Sequence, residues 1–240
     1  MTTAAIVLAG GSGTRLRRVE NKVYLPLGGQ ALLAWSLQIL ERSPLVDRIV
    51  LVVRDGDEER AAAVTDPLGL AKLTETVVGG STRHDSELAG LEVLAPDIVT
   101  DAVQLVAIHD AARPFVREAL LERIFTMARA VGGAVPALEL TGEFLLHVGL
   151  DGIPAPVPTT ELRRVQTPQA FRARELLAAY RRAAEEAFHG VDTAESVERF
   201  SDLQVGTVPG DPDNIKVTFV EDLVLAEELA ASWNAEHSTT

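Results

Sequence analysis

The chain has 240 residues, of which 47% are hydrophobic and 24% are charged, a composition typical of a folded protein with a sizeable apolar core. Its formal net charge of -13 argues against non-specific binding to nucleic acids or to anionic membranes, because both depend on a basic surface. The sequence contains no cysteine, which excludes disulfides, thiolate metal sites and cysteine nucleophiles.

The length and hydropathy predict the domain organisation and location. No apolar run approaches the roughly 18 residues that a membrane span needs, and the first residues lack the basic region and cleavage site of a secretory signal. We therefore expect a soluble, cytoplasmic protein. A chain of this length fits one large domain, which we place at residues 1–235, followed by a C-terminal tail at 236–240.

Short runs rich in β-branched residues alternate with segments of helical period, the pattern of an α/β fold around a mostly parallel sheet. Strands are predicted at 4–8, 48–53, 75–78, 104–109, 132–137 and 203–208. Helices are predicted at 31–42, 57–70, 84–95, 117–130, 172–188 and 221–235.

Residues 138–166 interrupt this alternation, with Gly149, Gly152 and three prolines between Ile153 and Pro158 around short apolar pieces. We predict a protruding β-arm here. Because such an arm buries little surface within one compact domain, we expect it to pack against a second copy of the chain and to form a homodimer.

A glycine-rich loop, LAGGSGTR at residues 8–15, follows the first strand. Glycines let backbone N–H groups approach phosphate oxygens, and a helix N-terminus after the loop would favour negative charge. A dinucleotide fingerprint fails at Leu16, and the Gly-Lys-Ser/Thr end of a P-loop is absent. Four basic residues follow within eight positions: Arg15, Arg17, Arg18 and Lys22. In an acidic chain this cluster indicates a site for a small polyanion, and the alternative is a tight turn without a ligand.

Two further segments add polar groups at strand ends. In VGGSTRHDS at 78–86, Arg83 and Ser86 are three residues apart and can face one ligand. In HDAARP at 109–114, Asp110 follows a buried strand and is a candidate magnesium ligand, while Arg113 is a candidate phosphate contact. Alternatively, Asp110 serves the turn and pairs with Arg113. We interpret His109 as a packed strand-end residue rather than a catalytic base.

The last motif, GDPDNIKVT at 210–218, is an acidic turn with a single lysine, Lys216. The alternative interpretation is a salt-linked surface turn.

Taken in order, these motifs resemble the methylerythritol-phosphate cytidylyltransferases and their relatives, the ribitol-phosphate cytidylyltransferases. The resemblance runs from about Ile6 to Leu229. Its matching segments are the glycine loop with Arg15 and Lys22, Gly79-Gly80-x-x-Arg83-x-x-Ser86, 109–114, Thr167-Pro168-Gln169-x-Phe171, and 214–218. The family resemblance implies a single Rossmann-like nucleotidyltransferase domain with a twisted, mostly parallel sheet flanked by helices. It also implies a dimerising arm, Mg²⁺ as cofactor, and CTP and a small phosphorylated alcohol as substrates.

The same resemblance implies a role for each matching residue. Nucleotide binding is implied for Leu8, Ala9, Gly10, Gly11, Gly13, Gly79, Gly80, Arg83, Ser86, Asp110 and Ala111. The implied catalytic residues are Arg15, Lys22 and Lys216. The first two would stabilise charge that develops as the acceptor phosphate attacks the α-phosphorus, and the third would position that phosphate. Arg113, Thr159 and Thr167 would bind the acceptor, and Asp110 and Asp213 would bind Mg²⁺.

Departures from the family pattern concentrate on the acceptor side. Acidic residues at 139–143 replace a lysine region, Thr159 stands where an arm arginine is usual, and Val191-Asp192 replaces a Thr-Asp pair. Arg163 or Arg164 is a candidate replacement for the missing arginine. On the donor side, Asn21 stands where proline is usual, and Glu87 where valine is usual. We therefore expect intact nucleotide binding and an altered acceptor pocket.

Four hypotheses remain open at this point. The first is cytidylyl transfer to methylerythritol phosphate in isoprenoid precursor synthesis, and the second is the same transfer to ribitol phosphate or another polyol phosphate. The third is a nucleotide-binding protein without transferase activity. The fourth is a sugar-phosphate nucleotidyltransferase that uses a different base, because a fold alone does not fix the substrate.

Overall fold

The computed structural model describes residues 1–11, 21–140, 147–148, 154–155, 162–190 and 192–237. The strands are β1 (Thr3–Leu8), β2 (Pro26–Leu27), β3 (Gln30–Ala31), β4 (Arg48–Val53), β5 (Leu73–Val78), β6 (Leu105–Asp110), β7 (Gly132–Glu139), β8 (His147–Val148), β9 (Pro154–Ala155), β10 (Arg163–Val165), β11 (Gln169–Arg172) and β12 (Gln204–Pro209). The helices are α1 (Leu32–Arg42), α2 (Glu58–Thr65), α3 (Arg83–Val99), α4 (Glu118–Val131), α5 (Ala173–Glu185), α6 (Thr193–Phe200) and α7 (Val220–His237).

Eight of these strands form one mixed sheet with a parallel centre. β1 lies between β4 and β6, parallel to both, and β5 extends the sheet beyond β4 in the same direction. β11 runs antiparallel between β6 and β7, and β12 pairs with β7 in parallel. Parallel strands end at the same edge, so the register places Leu8, Val52 and Asp110 side by side.

The sheet is buried on both faces, as its β-branched runs predict. On one face, Ala5 and Val7 pack in a cluster with residues of α1 and α4. On the other face, Ala4 and Ile6 pack with residues of α3 and α5. All four strand residues are fully buried. The α/β class and the mostly parallel sheet predicted from the sequence are therefore confirmed.

The predicted strands all occur, within two residues at either end, but several boundaries and elements differ. The helix predicted at 57–70 stops at Thr65, and a 3-10 turn at Asp66–Leu68 follows it, ended by Gly69 in the left-handed conformation. The last helix continues to His237, so it includes the first residues of the predicted tail. Outside the arm, the unpredicted strands and α-helix among the described residues are short: β2, β3, β11 and α6.

The predicted arm is only partly within the described residues. β8 pairs with β9, and β10 returns antiparallel to the end of β7, with Arg163 opposite Glu139. The remaining arm residues, including Thr159, lie outside the described ranges, so the protrusion of the arm stays a prediction. Within the described ranges, no helix has both the length and the apolar character needed to cross a membrane.

Candidate active site

The candidate site lies where β1, β5 and β6 end at the same edge of the sheet. Backbone hydrogen bonds connect the residues that follow these strands. The Ala9 N–H donates to the Val52 carbonyl at 2.7 Å, and the Gly79 N–H donates to the Val53 carbonyl at 2.8 Å. The Ala111 N–H donates to the Leu8 carbonyl at 3.0 Å. The predicted nucleotide-binding residues from three separate motifs therefore meet at one edge.

The glycine turn after β5 requires glycine because side chains crowd it. A Cβ on Gly79 would lie 2.5 Å from Ser86 Oγ and 3.0 Å from Val52 Cγ1, and one on Gly80 would collide with the Asp85 side chain. A Cβ on Gly10 would lie 3.8 Å from the same Ser86 Oγ, so the two glycine segments approach each other around this serine. No atom of the described residues lies within 4 Å of a Cβ placed on Gly11. Gly13 and Arg15 lie outside the described residues.

Helix α3 starts directly after this turn and carries Arg83 in its first turn. Thr82 is the N-cap: its hydroxyl accepts the Asp85 N–H at 3.0 Å, and the Asp85 carboxylate accepts the Thr82 N–H at 3.0 Å. This reciprocal capping box fixes where the helix begins. Arg83 therefore leaves the helix at its N-terminal end, beside the glycine turn.

Asp110 is the carboxylate that the cations of the site face. It is 8% exposed, and its two oxygens face two cations: Lys216 Nζ lies 2.6 Å from Oδ2, and Arg83 Nη2 lies 3.4 Å from Oδ1. Burial alone would raise the pKa of Asp110, but the charges of Arg83 and Lys216 outweigh it and hold that pKa well below the usual range. Asp110 is therefore an ionised carboxylate between two cations.

A buried hydrogen-bond chain fixes the end of β6. The Asp110 N–H donates to Thr167 Oγ1 at 3.0 Å, and that hydroxyl lies 3.3 Å from His109 Nδ1. His109 Nε2 lies 3.1 Å from the Arg113 carbonyl, which can only accept, so Nε2 carries the proton and Nδ1 accepts from Thr167. Burial lowers the pKa of His109 to about 4, consistent with this neutral form. The Thr167 hydroxyl thus has partners within the fold, and its contact with an acceptor stays a prediction.

Arg113 joins the base of the arm to the loop that carries Lys216. Its Nη1 donates to the Asn214 carbonyl at 2.8 Å and its Nη2 to the Val165 carbonyl at 3.4 Å. Its Nε is buried with no hydrogen-bond partner among the described residues. The alternative interpretation of the sequence was an ion pair between Asp110 and Arg113. Among the described residues, Asp110 instead forms ion pairs with Arg83 and Lys216. The acceptor role of Arg113 stays a prediction.

Lys22 begins a short 3-10 turn, and Asn21 before it is fully buried. Asn21 Nδ2 donates to the Ala9 carbonyl at 2.5 Å and to Asp57 Oδ2 at 3.0 Å. The second carboxylate oxygen of Asp57 faces Arg54 Nη2 at 3.2 Å. Asn21 therefore ties the backbone before Lys22 to the beginning of the glycine loop.

Asp213, the second predicted metal ligand, lies in the same acidic turn as Lys216 but has another partner. Its Oδ2 lies 3.2 Å from Arg117 Nη2, and Arg117 also pairs with Asp211 and Glu236. Among the described residues, no group of three or more histidines or carboxylates could enclose a metal ion. The metal role of Asp213 stays a prediction.

Two buried polar residues of the site were not predicted from the sequence to have a function. Glu87 is 1% exposed, and its Oε1 lies 2.5 Å from Arg83 Nη1. Burial raises the pKa of Glu87, and the charge of Arg83 opposes that shift. Asn21 is the other residue. The signals in the sequence were the spacing of four between Arg83 and Glu87, and the position of Asn21 directly before Lys22.

The likeness to known proteins extends over almost the whole chain. The family described as 2-C-methyl-D-erythritol 4-phosphate cytidylyltransferase (IspD) matches residues 3–231. A relative with that name from Geobacillus kaustophilus (strain HTA426) is 36% identical over 236 residues, which are 98% of this chain and 100% of the relative. Another with the same name, from Geobacter metallireducens (strain ATCC 53774 / DSM 7210 / GS-15), is 40% identical over 229 residues, 95% of this chain and 97% of the relative.

A solved structure is similar as well. The 4-diphosphocytidyl-2C-methyl-D-erythritol synthase of Anaerococcus prevotii DSM 20548 has a TM-score of 0.79 and 28% identity, over 95% of each chain. This fold, with glycine turns and a carboxylate between two cations at the carboxyl edge of the sheet, defines an α/β nucleotidyltransferase. More narrowly, the chain belongs to the 2-C-methyl-D-erythritol 4-phosphate cytidylyltransferase family.

Proposed function

We propose that the protein transfers the cytidylyl group of CTP to the phosphate of 2-C-methyl-D-erythritol 4-phosphate. An oxygen of the acceptor phosphate forms a bond to the α-phosphorus of CTP, the bond between that phosphorus and the bridging oxygen to the β-phosphorus breaks, and pyrophosphate leaves. The main support is the position of Asp110, between Lys216 and Arg83, at the edge where two glycine turns meet. The family match adds the identity of both substrates.

On this proposal, each side chain positions a substrate or stabilises charge. The backbone at Leu8, Gly10 and Gly11 faces the triphosphate, and Gly79 and Ser86 face the cytidine end. Lys22 and Arg15 stabilise the charge on the α-phosphate as the acceptor attacks, and Lys216 holds the acceptor phosphate. Phosphoryl-type transfer depends mainly on positioning and charge stabilisation, so no covalent nucleophile is required.

Asp110 also fits a role in holding Mg²⁺. Its carboxylate is ionised and lies at the edge where the glycine turns meet, and Mg²⁺ would replace Arg83 or Lys216 at one of its two oxygens. Mg²⁺ is commonly held by one or two carboxylates together with substrate phosphates and water, so a complete protein cage is not needed. When bound, the ion would neutralise charge on the phosphates. We propose Asp110 as the main protein ligand and Asp213 as a second.

The acceptor side is where the sequence departs most from the family pattern. Transfer to ribitol 5-phosphate or another polyol phosphate is therefore the second candidate. The observation that favours it is in the arm sequence, where acidic residues at 139–143 replace a lysine region and Thr159 stands where an arginine is usual. A binding protein without transferase activity is the third candidate.

The test is pyrophosphate release from purified protein with Mg²⁺ and CTP, using methylerythritol 4-phosphate, ribitol 5-phosphate and other polyol or sugar phosphates as acceptors. Other nucleoside triphosphates replace CTP as controls for the base. We expect turnover with CTP and methylerythritol 4-phosphate. Turnover with a different acceptor alone would replace the first candidate with the second, and CTP binding without any turnover would support the third.

We also propose a homodimer formed through the arm. Two residues at the base of the arm support it, because Leu162 is 39% exposed and Val165 is 42% exposed, which leaves apolar surface beside β10. Sedimentation at micromolar concentration tests this assembly, and a purely monomeric protein would contradict it. The cytoplasmic location stays a prediction.

A further inference from the structure

Glu87 is a buried carboxylate that the proposed reaction does not use. It lies one turn after Arg83 on α3 and is 1% exposed. Removing a carboxylate from water is unfavourable by several kcal/mol unless close partners compensate. The partners of Glu87 therefore show what holds this charge in place.

Three donors surround this carboxylate, and they come from three helices. Arg83 Nη1 lies 2.5 Å from Oε1, and the Thr193 hydroxyl, at the start of α6, donates to the same oxygen at 2.7 Å. The Tyr180 hydroxyl, from α5, donates to Oε2. Tyr180 and Thr193 are themselves fully buried. The position of the carboxylate is thus fixed by the packing of α5 and α6 against α3.

Arg83 spans the distance from this buried carboxylate to the active-site edge. One of its terminal nitrogens, Nη1, pairs with Glu87, and the other, Nη2, faces Asp110 Oδ1 at 3.4 Å. The Arg83 side chain is 28% exposed, and its guanidinium lies between the carboxylates of Glu87 and Asp110. An arginine with one edge of its guanidinium fixed loses less freedom when it binds an anion.

We propose that Glu87 is a positioning residue for Arg83, holding the guanidinium in the orientation that the nucleotide meets. This inference rests on the proposed function, because it assigns Arg83 to nucleotide binding. Glu87 touches neither substrate nor Asp110 in this arrangement and acts through Arg83 alone. If Glu87 only connected α3 to α5 and α6, its substitution would lower the free energy of unfolding without making the Arg83 side chain more mobile.

The first test needs no ligand. Nitrogen relaxation NMR of the Arg83 Nε–H group, identified by its loss in Arg83→Gln, compares the wild-type protein with Glu87→Gln. We expect a rigid guanidinium in the wild-type protein and a mobile one in the variant. Glu92→Gln is the matched control: Glu92 is on the same helix and makes two 2.7 Å contacts to Arg181 of α5. An equally rigid Arg83 in Glu87→Gln would overturn the proposal.

The second test measures the dissociation constant of CTP by calorimetry. We expect Glu87→Gln to weaken binding about tenfold, since one charge-assisted hydrogen bond is lost, and Glu92→Gln to leave it unchanged. In the Arg83→Gln background, Glu87→Gln should add less than about twofold, because its effect passes through the missing arginine. Additive losses would assign Glu87 an independent role and overturn the proposal.

The two experiments distinguish failure of the proposed function from failure of the role proposed for Glu87. A wild-type protein that does not bind CTP would overturn the proposed function, while the order of Arg83 still decides the role of Glu87. If Glu87→Gln does not fold, Glu87→Asp replaces it in the relaxation experiment, because it keeps the charge but shortens the side chain by one carbon and withdraws the carboxylate from Arg83 Nη1. A more mobile Arg83 in that variant supports the proposal, and an unchanged one overturns it.

Discussion

Lys216 Nζ lies 2.6 Å from Asp110 Oδ2, although the two residues are 106 positions apart in the chain. The pair places the lysine ammonium at the same edge of the sheet as the glycine turns. On the proposed mechanism this cation holds the acceptor phosphate beside the α-phosphorus.

Replacing Lys216 by methionine keeps the length of the side chain and removes its charge. We expect the turnover number to fall by about 100-fold, because the acceptor phosphate is no longer held in position to attack the α-phosphorus. Steady-state pyrophosphate release measures it. Lys72→Met is the control, because Lys72 donates to the Ser43 carbonyl and belongs to neither glycine turn. Equal turnover in the two variants would contradict the role of Lys216.

Lys22→Ala tests the other described cation of the proposed mechanism. We expect kcat to fall by about 100-fold or more, with a smaller change in CTP affinity, because stabilisation of developing charge acts on the transition state rather than on the bound substrate. Separate measurement of kcat and of the CTP dissociation constant distinguishes the two effects. Near-normal turnover would refute the assignment.

Asn21→Ala should destabilise the protein. The substitution removes the Asn21 amide that donates to the Ala9 carbonyl and to the Asp57 carboxylate, and both bonds are buried. Leaving such acceptors without their donor lowers the free energy of unfolding by about 1 to 3 kcal/mol. Urea unfolding measures this change. The control is Gln30→Ala, which removes a half-buried side-chain bond to Gln38 and should cost less than about 1 kcal/mol. Equal losses would mean that burial of the Asn21 bonds is unimportant.

The two tyrosines of the chain should both resist ionisation. Burial, reinforced by the Asp57 carboxylate, raises the pKa of Tyr24 to about 12. Burial also raises the pKa of Tyr180 well above 10.0. A pH titration followed by tyrosinate absorbance should therefore show almost no ionisation near pH 10 in the native protein and about half ionisation in urea, where the tyrosine pKa is about 10.

The sign of the linked stability follows from the same shifts. Above about pH 10 the unfolded chain releases tyrosine protons that the folded chain keeps, so the free energy of unfolding decreases as pH rises from about 10 towards 12. Below about pH 10 this contribution is complete. Tyr24→Phe should make the decrease shallower, and a native titration centred near pH 10 would contradict the burial of both hydroxyls.

Arg164, rather than Arg163, should affect the acceptor. Alternate residues of β10 point to opposite faces, and the charge of Arg164 contributes to lowering the pKa of Arg113, whereas Arg163 lies 3.9 Å from the exposed Glu139. We expect Arg164→Ala to raise the KM for the acceptor phosphate by about tenfold, the loss of one charge-assisted hydrogen bond. Arg163→Ala serves as the matched control with little change. The reverse order, or no effect of either variant, would rule out the assignment.

The sequence could predict those parts of the fold whose signals are local. Strands buried on both faces require continuous β-branched runs, as in β1 and β4, and the crowding at Gly79 requires glycine. β11 was missed because four residues are too few to show a period, and nothing local reveals that it runs antiparallel between β6 and β7.

Parts of the site depend on partners that are distant in sequence. The spacing between Arg83 and Glu87 is visible on one helix, but the donors that bury Glu87 lie 93 and 106 residues away, at Tyr180 and Thr193. Likewise, the motif at 109–114 left open whether Asp110 pairs with Arg113. In the fold, Lys216 and Arg83 form the ion pairs with Asp110, and Arg113 donates hydrogen bonds to two backbone carbonyls.

The sequence separations around Asp110 also set the order in which the site is completed during translation. Arg83 precedes Asp110 by 27 residues, Thr167 follows it by 57, and Lys216 follows it by 106. A ribosome thus produces both glycine turns and the carboxylate long before the lysine. A chain halted before residue 216 lacks the cation that faces Asp110 Oδ2, so on the proposed mechanism it could not hold the acceptor phosphate for transfer.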